Sequence, residues 1–264
     1  MENIKILREK TGAGIVDCKK ALEESGNDIE KAIEILRKKG IAKAAKRSAR
    51  ETSEGVVLVK VNEAGNEGYI LEVNSETDFV ARNERFKDFA AGVLELIETA
   101  KPKNSEELMN LKMEAGSVRE TLDILSGTIG EKLEIKGFDI VSGSTVFAYS
   151  HLGGRIGVLV ALDKAGENEL AKELAMQIAA SNPRYLVAEE VPAEEKDKEK
   201  DIYKEQLLKE GKPENIIEKI LEGKIRKYYE EVCLVEQEYI KDDKKKVKDI
   251  LGEVKVMKFV RYSL

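Results

Sequence analysis

Along the first forty residues apolar positions recur at helical spacing and are cut by turn residues, which predicts three short helices, Ile4–Lys10, Gly14–Ser25 and Asp28–Lys39. Gly12 and Gly26-Asn27 are the stops, and Asp28 stands where a side-chain oxygen can cap the third helix. There Ile29, Ala32, Ile33 and Leu36 fall at i, i+3, i+4 and i+7, an apolar stripe on one face. From Gly55 the period drops to two. Val57, Val59 and Val61, then Tyr69, Leu71 and Val73, flank the turn Glu63-Ala64-Gly65-Asn66 and predict a β-hairpin. Phe86, Phe89, Ala90, Val93, Leu94 and Ile97 return to helical spacing, so the sheet has a layer to pack against. Lys103–Lys132 reads as mostly helical, with Leu108, Leu111, Val118, Leu122 and Leu125 as its apolar positions.

The hairpin-then-helix order returns as Val146–Ser150, a Gly153-Gly154 turn, Ile156–Leu162 and a helix bearing Leu170, Leu174 and Ile178. Setting Gly68-Tyr69-Ile70-Leu71-Glu72-Val73 beside Gly154-Arg155-Ile156-Gly157-Val158-Leu159-Val160 implies two related halves offset by roughly 86 residues. Ala193–Glu210 starts almost wholly polar and then carries Ile202, Tyr203, Leu207 and Leu208, before Gly211-Lys212-Pro213 breaks the helix. Ile217, Ile220, Lys224 or Ile225, and Tyr228 then repeat at about 3.5 residues, which predicts an antiparallel helical hairpin, an exposed arm suited to interaction. Val254–Tyr262 reads as a returning strand. The fold class expected is α+β, with a three-helix N-terminal module, a core of two related α+β subdomains with antiparallel sheets, and a protruding helical hairpin. The expected boundaries are 1–40 for the module, 41–54 for a basic linker, 55–140 for the first core subdomain, 141–188 with 231–264 for the second, and 189–230 for the hairpin.

Composition narrows the function. With 264 residues, 42% hydrophobic and 36% charged, the chain suits a folded protein of more than one module with long polar helices. Its net charge of −6 is uneven: residues 1–50 hold 13 Lys and Arg against 8 Asp and Glu. The excess is concentrated in Arg37–Arg50, with seven positive residues and no acidic one. That segment reads as a solvated helical linker or, alternatively, as a phosphate-binding patch, which would make the chain a nucleic-acid-binding module. No stretch approaches the ~20 apolar residues of a membrane span, and Met1-Glu2-Asn3-Ile4-Lys5 leads into charge, so the cytoplasm is the expected compartment. Cys18 and Cys233 form no CxxC pattern, and His151 is the one histidine. Neither a metal site nor a histidine-based catalytic set is expected, so no cofactor and no enzyme activity are anticipated.

Gly12-Ala13-Gly14-Ile15-Val16-Asp17 opens like a dinucleotide fingerprint, but Asp17 replaces the third glycine and no strand precedes it. No GxxxxGK[ST] loop occurs, so direct nucleotide binding is not expected. His151 reads as a packed or capping histidine or as a functional one. The sharper feature is Thr77-Asp78-Phe79-Val80-Ala81-Arg82-Asn83, where a strand hands over to a helix. Asp78 at a helix start is ordinarily a cap and Phe79 ordinarily core. The following helix already supplies Phe86 and Phe89, however, which leaves a third ring free to anchor in a partner's pocket.

These residues resemble the elongation factor Ts family, and the resemblance covers nearly the whole chain. Thr11-Gly12-Ala13-Gly14-Ile15-Val16-Asp17-Cys18-Lys19-Lys20-Ala21-Leu22, then Glu72-Val73-Asn74-Ser75-Glu76-Thr77-Asp78-Phe79-Val80-Ala81, and finally His151 with Arg155-Ile156-Gly157-Val158-Leu159-Val160 follow the family's order. The resemblance implies a ubiquitin-associated-like N-terminal module, a core of two related subdomains and a coiled-coil insertion in the second. It implies guanine nucleotide exchange on elongation factor Tu, with Thr77, Asp78, Phe79 and Val80 dislodging the partner's magnesium ion and Phe79 wedging between helices of its nucleotide domain. Asp17, Lys19 and Lys20 of the N-terminal module, and His151 and Arg155 of the second subdomain, are the implied secondary contacts. Some members continue into a C-terminal helical module, whose contacts are not carried over to a sequence that ends at Leu264.

Overall fold

The computed structural model describes residues 2–114 and 116–264. Three helices open the chain, α1 (Glu2–Thr11), α2 (Ile15–Glu24) and α3 (Ile29–Ala45). They close on Leu7, Cys18, Ala21, Leu22 and Ala32, the i, i+3, i+4 stripe of α3 facing that small core. Asp28 caps α3 by accepting the Lys31 N–H at 3.1 Å.

The core begins with a hairpin, β1 (Glu54–Val61) and β2 (Glu67–Ser75). It continues through α4 (Asp78–Ala81), α5 (Glu84–Ala100), α6 (Ser105–Asn110), the short pair β3 (Lys112–Met113) and β4 (Gly116–Ser117), and α7 (Val118–Ile129). Strand β5 (Leu133–Ser142) then pairs antiparallel with β2, giving the sheet order β1-β2-β5. The second half runs β6 (Thr145–His151), β7 (Ile156–Leu162), α8 (Asn168–Ser181), α9 (Ala193–Lys209), α10 (Glu214–Val232), the polar pair β8 (Glu238–Tyr239) and β9 (Asp242–Lys246), α11 (Val247–Leu251) and β10 (Val256–Ser263). Its sheet has the order β10-β7-β6, all antiparallel. The architecture is α+β. Among the described residues no helix is long and apolar enough to cross a membrane.

The two three-stranded sheets pack face to face between helical layers. Tyr69, Leu71 and Val73 of β2 turn out towards Phe86, Phe89, Ala90, Val93 and Ile97 of α5. Val158, Val160 and Leu162 of β7 turn out towards Ala171, Leu174, Ala175 and Ile178 of α8. The alternate residues Ile70, Leu159 and Ala161 meet Val57, Val141, Val146 and Val260 between the sheets. Strand period two therefore places apolar groups on both faces of the central strands β2 and β7. Close approach of the sheets depends on Gly68 and Gly157: a Cβ on Gly68 would lie 2.8 Å from Val146, and one on Gly157 would strike Val57 and Val59. The two halves thus correspond with Gly68 opposite Gly157, three positions later than the sequence comparison aligned them. Gly154 instead sits in the β6–β7 turn at φ 92°.

The helical hairpin differs from the sequence reading at one seam position, and α3 in where it ends. Lys103–Lys132 is mostly helical, as its pattern predicts, in two helices, α6 and α7, separated by the β3–β4 pair. The hairpin α9–α10 forms, with Leu207, Ile217, Leu221, Ile225 and Tyr228 buried, so Leu221 takes the place expected for Ile220, and Ile225 rather than Lys224 fills the following turn. At its root Glu195 accepts from the hydroxyls of Tyr185 and Tyr228 and pairs with Arg184 at 2.8 Å.

Helix α3 has no breaker at Lys39 and runs on to Ala45, against α7. A glycine within a helix costs about 1 kcal/mol relative to alanine, yet here Gly40 meets Gly127 of α7. A Cβ on Gly127 would come 2.5 Å from the Gly40 Cα, so the two helix backbones cross in near contact. Charge reinforces the docking. Arg37 pairs with Glu120, the Arg47 guanidinium donates to the Ser126 carbonyl at 3.2 Å, and Arg50 pairs with Glu76 at 3.0 Å. Lys39 and Lys43 pair within the module, with Glu24 and Asp17. Five of the seven positive side chains in 37–50 therefore have a partner within the chain while remaining exposed or half-exposed to solvent.

Gly127→Ala is expected to lower the urea midpoint, by about 1–3 kcal/mol in stability, because overpacking against a backbone outweighs improved helix propensity. Gly223→Ala in α10, where an added Cβ meets nothing within 4 Å, is expected to raise stability by about 0.5–1 kcal/mol. Equal midpoint shifts for the two variants would contradict a tight α3–α7 crossing.

Candidate partner-binding site

Strand β2 reaches the corner through buried polar residues. Burial pushes the Glu72 carboxyl above its usual value, Asn74 donates to the Thr52 carbonyl at 3.4 Å, and Ser75 Oγ donates to the Thr77 carbonyl at 2.9 Å. Thr77 then presents both its N–H and its hydroxyl to the Glu131 carboxylate, at 3.0 and 2.7 Å. The preceding Glu76 accepts the Lys132 N–H at 2.5 Å and the Arg50 guanidinium at 3.0 Å. The Lys132 N–H, and after it Arg50, hold the Glu76 carboxyl below its ordinary value.

The four corner residues divide their work. Thr77 occupies the N-cap position of α4, but its hydroxyl goes to Glu131 and caps nothing. Asp78 is not the cap expected from its position: it lies inside the first turn and pairs with Arg82 at 2.9 Å, one turn on. Val80 is 7% exposed and plugs the α5 core beside Phe86 and Phe89. Phe79, between them, is 80% exposed. Single exposed apolar residues are ordinary on protein surfaces. Phe79 differs because the backbone on either side is pinned, which sets the ring out on a fixed base.

The N-terminal module meets the core close to this corner. Gly12 has φ 69°, and the guanidinium of Arg85, in the first turn of α5, lies where a Cβ on Gly12 would be. Beyond Gly14 the first turn of α2 exposes Ile15 (55%) and Val16 (65%), two apolar side chains that the sequence reading did not single out. Of the three residues that it did, Asp17 is paired with Lys43 at 3.0 Å, Lys19 with Glu23 at 3.9 Å, and Lys20 is exposed.

The third motif arrives at the same end of the sandwich. His151 closes β6, is exposed, and stacks on Tyr149, whose hydroxyl lies 3.0 Å from Nδ1. Leu152 follows in the left-handed region at φ 52° with 66% of its surface exposed, another apolar residue missed in the sequence. Arg155 pairs with Glu54 at 2.7 Å, and Glu54 stands opposite Ser75 in the β1–β2 register. The Gly154 carbonyl also accepts the Val57 N–H at 2.7 Å, fastening the turn to β1. Motifs far apart in the chain are thus joined in space: Gly12 through Arg85 to the start of α5, and Arg155 through Glu54 to the end of β2.

The arrangement offers exposed apolar groups on braced backbone, with Arg50 from the basic run and with Glu131 and Arg85, which no local sequence pattern marked, as bracing residues. The family model described as Elongation factor TS matches residues 76–264. Elongation factor Ts of Prosthecochloris aestuarii (strain DSM 271 / SK 413) is 44% identical over 280 aligned positions that cover 100% of this chain and 97% of that protein. Elongation factor Ts of Chlorobium phaeobacteroides (strain BS1) is 44% identical over 278 positions, covering 99% and 96%. With a family model across most of its length, the three motifs in order and relatives aligned end to end, the chain belongs to the elongation factor Ts family.

Proposed function

We propose that this chain is a guanine nucleotide exchange factor for elongation factor Tu, acting in the cytoplasm during translation elongation. It promotes GDP release by displacing the magnesium ion of the GTPase and distorting its nucleotide site. A nucleotide bound by a GTPase is held largely through magnesium bridging its phosphates. A protein that binds the distorted, metal-free GTPase better than the loaded one shifts the equilibrium towards release, and no covalent step is required. A 10³-fold loss of nucleotide affinity takes about 4 kcal/mol of differential binding, within reach of one buried aromatic anchor and a broad interface.

The observation that carries this reading is Phe79, exposed on a pinned corner while its neighbour Val80 is buried. In this mechanism Phe79 wedges between helices of the partner, Thr77 and Val80 hold it at a fixed height, and Asp78, tied to Arg82, flanks it. Asp17, Lys19 and Lys20 with Ile15 and Val16, and His151 and Arg155 with Leu152, supply the broader contact. The rival nucleic-acid reading loses support from the ion pairs and carbonyl contacts that occupy Arg37, Lys39, Lys43, Arg47 and Arg50.

Phe79→Ala is expected to slow GDP release from elongation factor Tu about 30-fold or more, the scale of a hot-spot truncation of 2 kcal/mol. Its urea midpoint should stay at the wild-type value, since the ring adds little to the folded core. Wild-type exchange kinetics in this variant would sink the assignment.

A further inference from the structure

We infer that Glu131 is a positioning residue for the Phe79 corner, and that through it the docking of the N-terminal module on α7 sets where that ring stands. The part concerning exchange rests on the function proposed above; the part concerning the corner's geometry does not.

Glu131 lies just past the end of α7, 54 positions from Thr77, and its carboxylate takes both of the hydrogen bonds that Thr77 donates. Two bonds to one ionised acceptor fix orientation as well as distance. Glu131 is itself held. Its carbonyl accepts from Ser126 Oγ at 2.6 Å, and Ser126 is buried within α7. The Ser126 carbonyl in turn accepts the Arg47 guanidinium, just beyond the end of α3. A second route runs beside the first: Lys132 gives its N–H to Glu76 and its ammonium to the Arg50 carbonyl at 3.0 Å, while the Arg50 guanidinium grips Glu76. Glu76 and Thr77, the two residues before Asp78 and Phe79, therefore hang from the Glu131-Lys132 turn. That turn hangs from α7, on which α3 crosses at Gly40 and Gly127. Thr77 shows the direction of the design. Its hydroxyl stands where a threonine ordinarily caps its own helix, but it is turned away to an acceptor from another element.

The test uses the full chain with Glu131→Ala, Glu131→Gln and Phe79→Ala, singly and with Glu131→Ala and Phe79→Ala combined. Amide hydrogen exchange should speed up at least tenfold across residues 76–81 in Glu131→Ala while the β2 and β7 amides keep their protection. Glu131→Gln, which retains one acceptor oxygen, should fall between that variant and wild type. GDP release from elongation factor Tu should slow about tenfold in Glu131→Ala, with no further loss when Phe79→Ala already removes the ring. Unchanged corner exchange in Glu131→Ala, or a kinetic loss that simply multiplies with that of Phe79→Ala, overturns the inference. Loss of protection throughout the sandwich would assign Glu131 a general structural role and overturn it equally. Should the wild-type chain itself leave GDP release unaccelerated, the exchange reading falls, and the amide-exchange arm still decides whether Glu131 holds the corner.

Discussion

Close packing of two three-stranded sheets is the constraint on which the rest of the molecule depends. Gly68 and Gly157 leave the space for Val146, Leu159, Val57 and Val59 to fill from the opposite sheet, and a side chain at either position would push the layers apart. Because the inner faces are used against each other, the outer faces need helices, and α5 and α8 supply them. The same contact brings the β6–β7 turn against the start of β1, opposite the end of β2. Two motifs more than seventy residues apart thereby come to one end of the sandwich.

On that frame the molecule separates rigidity from exposure. Everything around Phe79 is fixed: Thr77 by Glu131, Glu76 by Arg50 and Lys132, Val80 by the α5 core. The Phe79 ring is the apolar group left in water, forgoing the roughly 1.5–3 kcal/mol that burial of a phenylalanine contributes to folding. Binding can recover that free energy, and a backbone already held in place surrenders little conformational freedom on docking. The N-terminal module follows the same logic, presenting Ile15 and Val16 on a three-helix unit that α3 locks to α7.

The parts of the fold legible in the sequence are those whose burial is one-sided and regular. The i, i+3, i+4 stripe of α3, the valines of β1 and the aromatic face of α5 announce themselves by period. Strand β5 does not. Its apolar residues change phase where a bulge opposite Glu72 and Val73 shifts the register, so Leu133 and Ile135 fall out of step with Phe138 and Ile140. Strand β9 is hidden because Asp242-Asp243-Lys244-Lys245-Lys246 has no apolar face at all. The pairing of the basic segment 37–50 is not legible locally, because its partners Glu76, Glu120 and Ser126 lie far along the chain. At the site, Phe79 could be suspected from its redundancy with Phe86 and Phe89. Glu131 could not, since a lone carboxylate in a turn carries no local pattern and its meaning arises only when Thr77 is brought to it. The family's motifs, by contrast, were legible as strings, which is why membership could be read before any geometry.

The most direct test of the central claim is stopped-flow release of fluorescently labelled GDP from elongation factor Tu at rising concentrations of this chain. The expected result is a release rate that climbs with concentration and saturates about 10³-fold above the spontaneous rate, matching some 4 kcal/mol of differential binding. A release rate independent of the chain's concentration would contradict the account.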